Sequence, residues 1–194
     1  MQQLDQFKMP PDFRGKPGWF IQWWWIVEAI LFRPSPQFMY GWRRFLLRSF
    51  GASIGRKVII RSSVHTQFPW KVKIGDHSWI GDHVILYSLG NIEIGSHVVI
   101  SQKCYICTGS HDYKKTEFPI YSMPVYIEDK CWLATDVYVG PGVCIGSGTV
   151  VGARSSVFKS LPPDKVCIGT PAIPVKDRTD ETVLSSSKGR VIKF

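Results

Sequence analysis

An aliphatic residue recurs at every sixth position through the middle of this chain, and few folds accept that spacing. The series runs Ile54 and Ile60; Ile74, Ile80 and Leu86; Ile94, Ile100 and Ile106; Ile127, Leu133 and Val139; Ile145, Val151 and Val157. Four positions after each comes a residue that is mostly small, from Val58, Val64, Ser78, Val84 and Gly90 through Cys104, Ser110 and Cys131 to Thr149 and Ser155, with Leu161 the large exception. Helices repeat their apolar positions every 3.6 residues and strands every two, so neither element alone produces this pattern. A prism does. Each of three short faces buries one aliphatic side chain, with the small residue beside it near the corner. Three hexads close an 18-residue coil, and stacked coils pair as parallel strands about 4.8 Å apart.

The interruptions support the same geometry. Coil starts at residues 54, 74 and 94 are 20 apart, so two extra residues enter after each third face. From 94 to 127 is 33 residues, a coil plus a 15-residue insertion, again after the third face, and from 127 to 145 is a clean 18. All insertions therefore share one corner. The pattern resembles the hexapeptide-repeat family of left-handed parallel β-helices, an exception to the usual right-handed crossover. The expected architecture is all-β: a left-handed β-helix over 51–176 with an inserted loop at 112–126.

Residues 1–50 do not carry the repeat. Trp19–Phe32 reads as a helix, Arg33-Pro34-Ser35-Pro36 as a turn, and about Tyr40–Phe50 as a second helix. In the second, Trp42, Phe45, Leu46 and Phe50 fall on one face at helical spacing, with Arg43, Arg44 and Arg48 elsewhere. Two readings stay open. The segment is an end cap covering the terminal coil, or a membrane-surface contact with Trp19, Trp23, Trp24 and Trp25 at the interface and arginines on anionic lipid. Residues 177–194 read as a polar tail.

The formal charge of +9 suits a polyanionic partner: nucleic acid, an anionic membrane or a phosphorylated cofactor. Nucleic acid is not expected, because the basic residues form no stripe interleaved with aromatics. The five cysteines follow no secretory signal, so a reducing, cytoplasmic setting is expected, at the inner face of the cell membrane if residues 1–50 dock there. The longest apolar helix candidate is 14 residues, too short to span a bilayer.

His77, His83 and His97 each sit three places after a repeat aliphatic, at a corner position shared with Gly109, Asp136, Gly142 and Gly148. These residue types tolerate positive φ, and turn-forming roles follow. His77 and His97 are one coil apart and should stack. His111 differs: it lies five places after Ile106, off the corner register, at the stem of the long insertion, where a rigid scaffold presents a loop residue. Cys104 and Cys107 form a C-x-x-C, but Cys104 and Cys131 both occupy the small inward slot and read as core.

Thr108-Gly109-Ser110-His111-Asp112-Tyr113, with Phe68-Pro69-Trp70, Ile74-Gly75-Asp76, Pro141-Gly142-Val143 and the closing Gly169-Thr170-Pro171-Ala172, resembles polysaccharide O-acetyltransferases of the colanic-acid type. More broadly, residues 45–176 are similar to galactoside, maltose and nodulation acetyltransferases. The resemblance implies transfer of acetyl from acetyl-CoA to a sugar hydroxyl, at a cleft between subunits of a homotrimer, with no metal. It implies His111 as general base and Trp132, Thr135, Ala153 and Lys159 along the coenzyme channel; by their charge, Lys159, Lys176 and Arg178 are the candidates for the coenzyme phosphates. Trp79, His83, Tyr87 and Ser88 are the acceptor-site candidates. Where the galactoside enzymes place an asparagine and an aspartate, this chain has Gly81 and Leu89, and Trp79 replaces a tyrosine; a larger saccharide, nucleotide- or lipid-linked, is the expected acceptor. The chemistry agrees. A sugar hydroxyl is a poor nucleophile at neutral pH, imidazoles accept protons there, and a thioester oxyanion needs N–H donors.

Two other classes compete. A zinc-dependent hydratase of the γ-carbonic anhydrase kind would need three ligands meeting across subunits, and no third histidine pairs convincingly with His77 and His97. A non-catalytic β-solenoid binding module would be indifferent to loss of His111.

Overall fold

The computed structural model describes residues 1–178, so residues 179–194 of the expected polar tail lie outside the described residues. The repeat folds as a three-sided parallel β-solenoid of about six turns, with two short helices at its N-terminal end. The first face stacks Ser53–Ile54, Val72–Ile74, Ile92–Ile94, Val125–Ile127 and Cys144–Ile145. The second stacks Ile59–Ile60, Trp79–Ile80, Val99–Ile100, Trp132–Leu133, Val150–Val151 and Lys165–Gly169, and the antiparallel strand Ala172–Asp177 closes its edge. The third stacks His65–Thr66, Ile85–Tyr87, Tyr105–Cys107, Tyr138–Val139 and Ser156–Val157.

Register follows the hexad. Ile54, Ile74, Ile94, Ile127 and Ile145 pair in one ladder, and Ile60, Ile80, Ile100, Leu133 and Val151 in the next. All ten are buried, each contributing about 1.5–3 kcal/mol of apolar transfer. The third ladder is Thr66, Leu86, Ile106, Val139 and Val157. Thr66 thus fills the slot where the six-residue series skips an aliphatic, and its buried Oγ1 has no hydrogen-bond partner.

Corners turn through left-handed residues. His77, His83 and His97 have φ of 59°, 57° and 57°, as do Lys103 (62°) and Asp136 (61°) at equivalent positions. His77 and His97 stack with centroids 5.1 Å apart and planes 11° from parallel. Close approach matters most at Gly75, where an added Cβ would lie 2.6 Å from the Gly95 carbonyl carbon of the next coil.

The third-to-first corner is where the hexad reading needs correction. Gly90 and Ser110 do not take the inward slot, and Gly109 is not a positive-φ corner. The chain turns earlier there, so Phe68, Ser88 and Thr108, each two places after the third-face residue, are the buried ones. Hydroxyls supply what the irregular backbone lacks: Thr108 Oγ1 donates to Tyr87 O and accepts from Gly90 N–H. The insertion is a hairpin of Gly109–His111 against Ile120–Ser122, and Val125–Ile127 already belongs to the fourth coil, so the excursion ends before 126.

Helix α1 (Gly18–Val27) continues into a wide turn over Glu28–Phe32, closed by Arg33 N–H donating to Glu28 O at 2.9 Å. Helix α2 (Tyr40–Ser49) lies over the first coil. Its burial departs from the helical-face expectation: Phe45 is exposed and Arg43 fully buried. The cause is the open edge of the first coil, whose carbonyls have no preceding coil to accept from. Arg43 Nε donates to Ile60 O at 2.6 Å, Arg44 to Val58 O at 2.8 Å and Arg48 Nε to Ile54 O at 3.0 Å. The remaining Arg43 donors reach Ser35 Oγ, Pro36 O and Gln37 O, fixing the turn between the helices. Residues 1–16 run along the third-to-first corner: Gln3 N–H donates to Thr116 O, and Arg14 O accepts from the Trp70 indole.

Candidate active site

His111 stands at the base of the hairpin, paired across it with Ile120. Its ring stacks on Phe118, 4.3 Å between centroids and 8° from parallel, with Phe7 on another side at 6.0 Å. Nδ1 lies 2.9 Å from Phe118 O. A carbonyl only accepts, so the proton is assigned to Nδ1 and the lone pair to Nε2. The ring is therefore locked in one orientation with one nitrogen free to take a proton. Beside the hairpin runs a largely apolar cleft of about 160 Å³, lined by Phe13, Ile21, Trp25, Tyr87, Leu89 and Ile120 among others.

The other sequence-predicted residues divide between two places. Lys159 lies past the last third-face strand, at the same corner as the His111 hairpin in a later coil. Trp79 and Trp132 sit on the second face, flanking Val99, and both are exposed, at 55% and 44%. Thr135 and Ala153 follow at the second-to-third corner, where Thr135 Oγ1 donates to Gln102 O. Lys176 is exposed on the closing strand of the same sheet, paired to Val166. Near Trp79 a groove of about 350 Å³ opens among Arg61, Asp82, Ser101 and Gln102, which present donors and acceptors of the kind a saccharide uses. One chain thus does not bring Trp79, His83, Trp132, Thr135, Ala153 or Lys176 to its own His111.

Two expectations change on inspection. Ser88 is fully buried: its Oγ accepts from Phe68 N–H at 2.9 Å and donates to Phe68 O at 3.0 Å, leaving nothing for an acceptor sugar. Arg178 spends its guanidinium on Lys130 O and Gly148 O, bracing the final turn. Tyr87 lines the same cleft as Ile120, the residue paired with His111 across the hairpin. Phe7 and Phe118, which frame His111, carried no hexad or motif signal, and only the insertion's length hinted that something would fold back on the histidine.

The cysteines are all free thiols. Burial pushes Cys104 and Cys131 up to about 11, so neither offers a thiolate at neutral pH. Among the described residues no group of three His, Cys, Asp or Glu side chains is placed to hold a metal ion. No described helix is long and apolar enough to cross a membrane.

No protein-family model matches the chain. Among individual proteins, it is 57% identical over 180 residues to the Escherichia coli K12 protein named "Putative colanic acid biosynthesis acetyltransferase WcaF", covering 93% of this chain and 99% of that one. It is 31% identical to the galactoside O-acetyltransferase of Lactococcus lactis, over 76% of this chain and 73% of that one. Among solved structures it superposes on the hexapeptide-repeat-containing acetyltransferase VCA0836 of Vibrio cholerae complexed with acetyl coenzyme A. The TM-score is 0.74 at 28% identity, covering 83% of this chain and 88% of the other.

Proposed function

This chain belongs to the hexapeptide-repeat acetyltransferases of the colanic acid biosynthesis type, enzymes that take acetyl from acetyl-CoA, and from that premise we propose that it acetylates a sugar hydroxyl with His111 as base, at a site two subunits share. One observation carries the proposal: the candidate residues fall on opposite sides of the prism. His111 and Lys159 belong to the third-to-first corner, while Trp79, Trp132, Thr135 and Ala153 belong to the second face and its following corner. A threefold assembly joins unlike surfaces of neighbouring subunits, and so unites the two sets.

When bound, acetyl-CoA supplies an acyl group on a thiolate leaving group. The chain's residues do the rest. His111 Nε2 accepts the acceptor hydroxyl proton as the oxygen attacks, and the Phe118 carbonyl holds Nδ1–H and stabilises the charge that forms on the ring. The proton returns from Nε2 to the departing thiolate, leaving the imidazole neutral again. Phe118 and Phe7 limit water around the ring. The exposed tryptophans of the second face, the small Ala153 and the hydroxyl of Thr135 suit a slender pantetheine arm, and Lys176 suits phosphate. The groove beside Trp79, with Arg61, Asp82 and Gln102, suits the saccharide. The cytoplasm, where acetyl-CoA is made, is the matching compartment.

Mixed assemblies test the shared site. His111→Ala disables one surface, and Thr135→Trp, filling the channel, disables the other. Each homogeneous variant should fail to transfer acetyl to a saccharide acceptor, whereas co-assembled variants should regain activity at junctions carrying both intact surfaces. Absence of recovery from verified mixed assemblies would place the whole site within one subunit.

A further inference from the structure

The outward face of α1 is unlike that of an ordinary cap. Inward, Ile21, Trp24, Val27 and Phe32 are buried, and Trp24 donates its indole N–H to Thr66 O. Outward, Trp19, Trp23, Ile26 and Ile30 stand four, three and four residues apart, a single ridge on a helix, with exposures of 71%, 55%, 48% and 64%. Between Gly18 and Phe32 the one ionisable side chain is Glu28, and it is buried. A capping element normally turns a polar face to water. Apart from Gln22, this one turns only apolar side chains to water, so capping accounts for its inner side alone.

Charge is distributed to match. Residues 13–75 contain eleven lysines and arginines and a single carboxylate, Glu28, so the whole positive excess of the chain sits in the cap and first coil. Arg56, Arg61 and Lys73 are paired with Asp76, Asp82 and Glu93 of later coils. Arg14 and Lys16 before α1, and Arg33 after the wide turn, are exposed at the two ends of the ridge, Arg33 also pairing at 3.9 Å with the buried Glu28. The tryptophans differ as well. Trp24, Trp42, Trp70 and Trp132 donate their indole N–H within the chain, whereas Trp19, Trp23 and Trp25, like Trp79 on the second face, meet no acceptor among the described residues.

We propose that the Trp19–Trp23–Ile26–Ile30 ridge docks this enzyme on an anionic bilayer surface, its apolar side chains at the acyl boundary and its flanking cations over the headgroups. Tryptophan with a free indole N–H suits the interface, where carbonyl and phosphate acceptors lie beside hydrocarbon. The helix is too short to span and lies in the interfacial plane. A nucleic acid would use the charge and leave the ridge in water; a second protein copy would use the ridge but meet the same positive charge. The bilayer satisfies both. Trp25 and Ile21 also line the cleft that Ile120 of the hairpin borders, so docking brings that cleft close to the membrane surface. The docking itself does not depend on the acyl-transfer mechanism, and its assay measures no turnover.

The test is flotation of the full chain with vesicles of equal parts phosphatidylglycerol and phosphatidylcholine, against phosphatidylcholine alone. The wild type should float with anionic vesicles and weaken as salt is raised. A variant combining Trp19→Ser, Trp23→Ser and Ile26→Ser should lose about tenfold or more in partitioning, with its light-scattering mass and coenzyme A affinity unchanged. Arg14→Glu with Lys16→Glu should weaken anionic binding while leaving the ridge intact. A wild type that ignores anionic vesicles overturns the proposal, and so does either variant that floats like the wild type. A ridge variant with altered subunit mass overturns it too, by assigning the ridge to a subunit contact.

Discussion

Glu28 and His65 meet at 2.9 Å between Oε1 and Nδ1, across the seam where the cap packs on the first coil. The carboxylate is buried, accepts Thr66 N–H as well, and lies 3.9 Å from the Arg33 guanidinium. The hydrogen bond to Glu28 raises the His65 pKa above its usual 6.5, with burial and Arg33 opposing.

A raised imidazole pKa gives stability a definite pH dependence. The contribution is fully present below the unfolded value near 6.5 and is lost as pH climbs through the folded value. Thermal melts should therefore show Tm falling across that window. Glu28→Gln should flatten the slope. An equal slope in both proteins would detach His65 from the effect.

His111→Ala should lower acetyl transfer by about 10²- to 10⁴-fold while leaving coenzyme A binding and unfolding midpoint close to wild type. The coil does not need this side chain, since it stands on the hairpin and not at a corner. His77→Ala or His97→Ala should change stability modestly and spare turnover. Steady-state kinetics with a verified acceptor separates these outcomes, and a wild-type rate for His111→Ala eliminates the mechanism.

Thr66→Val should stabilise the protein by about 1 kcal/mol in urea unfolding. The substitution keeps shape, removes an unpartnered buried hydroxyl and restores an aliphatic to the third-face ladder. Backbone bonds from Trp24 and to Glu28 are untouched.

Arg43→Met should cost about 3 kcal/mol, because it strands Ile60 O in a buried place and releases Pro36 O and Gln37 O, which fix the turn between the helices. Burial lowers the Arg43 pKa from its ordinary value, yet the guanidinium stays charged at any working pH. Chemical denaturation measures the loss, and a near-neutral result would mean that water replaces the side chain.

Much of this fold was legible because a six-residue spacing is a property of the covalent chain. Ile54, Ile74, Ile94, Ile127 and Ile145 announce one ladder whatever surrounds them. Arg43 was not legible. Its helical position reads as solvent-facing, and what draws it inward is a row of carbonyls on a distant strand edge, which no residue type encodes. Ser88 was misread for a related reason: its hydroxyl serves Phe68, whose amide and carbonyl are invisible in a string of side chains. His111 was found by its departure from the register, but the Phe118 carbonyl that selects its tautomer belongs to a loop whose path the repeat does not dictate.

The arginines of α2 have a consequence for assembly. A parallel solenoid ends in a row of open hydrogen-bonding groups that would accept another coil, from the same chain or from a different molecule. Arg43, Arg44 and Arg48 occupy that row at one end, and at the other the strand Ala172–Asp177 folds back on Lys165–Gly169. End-to-end pairing is thereby hindered at the α2 end of the stack and along the second face at the other, which favours side-by-side association along the faces where the two halves of the proposed site lie.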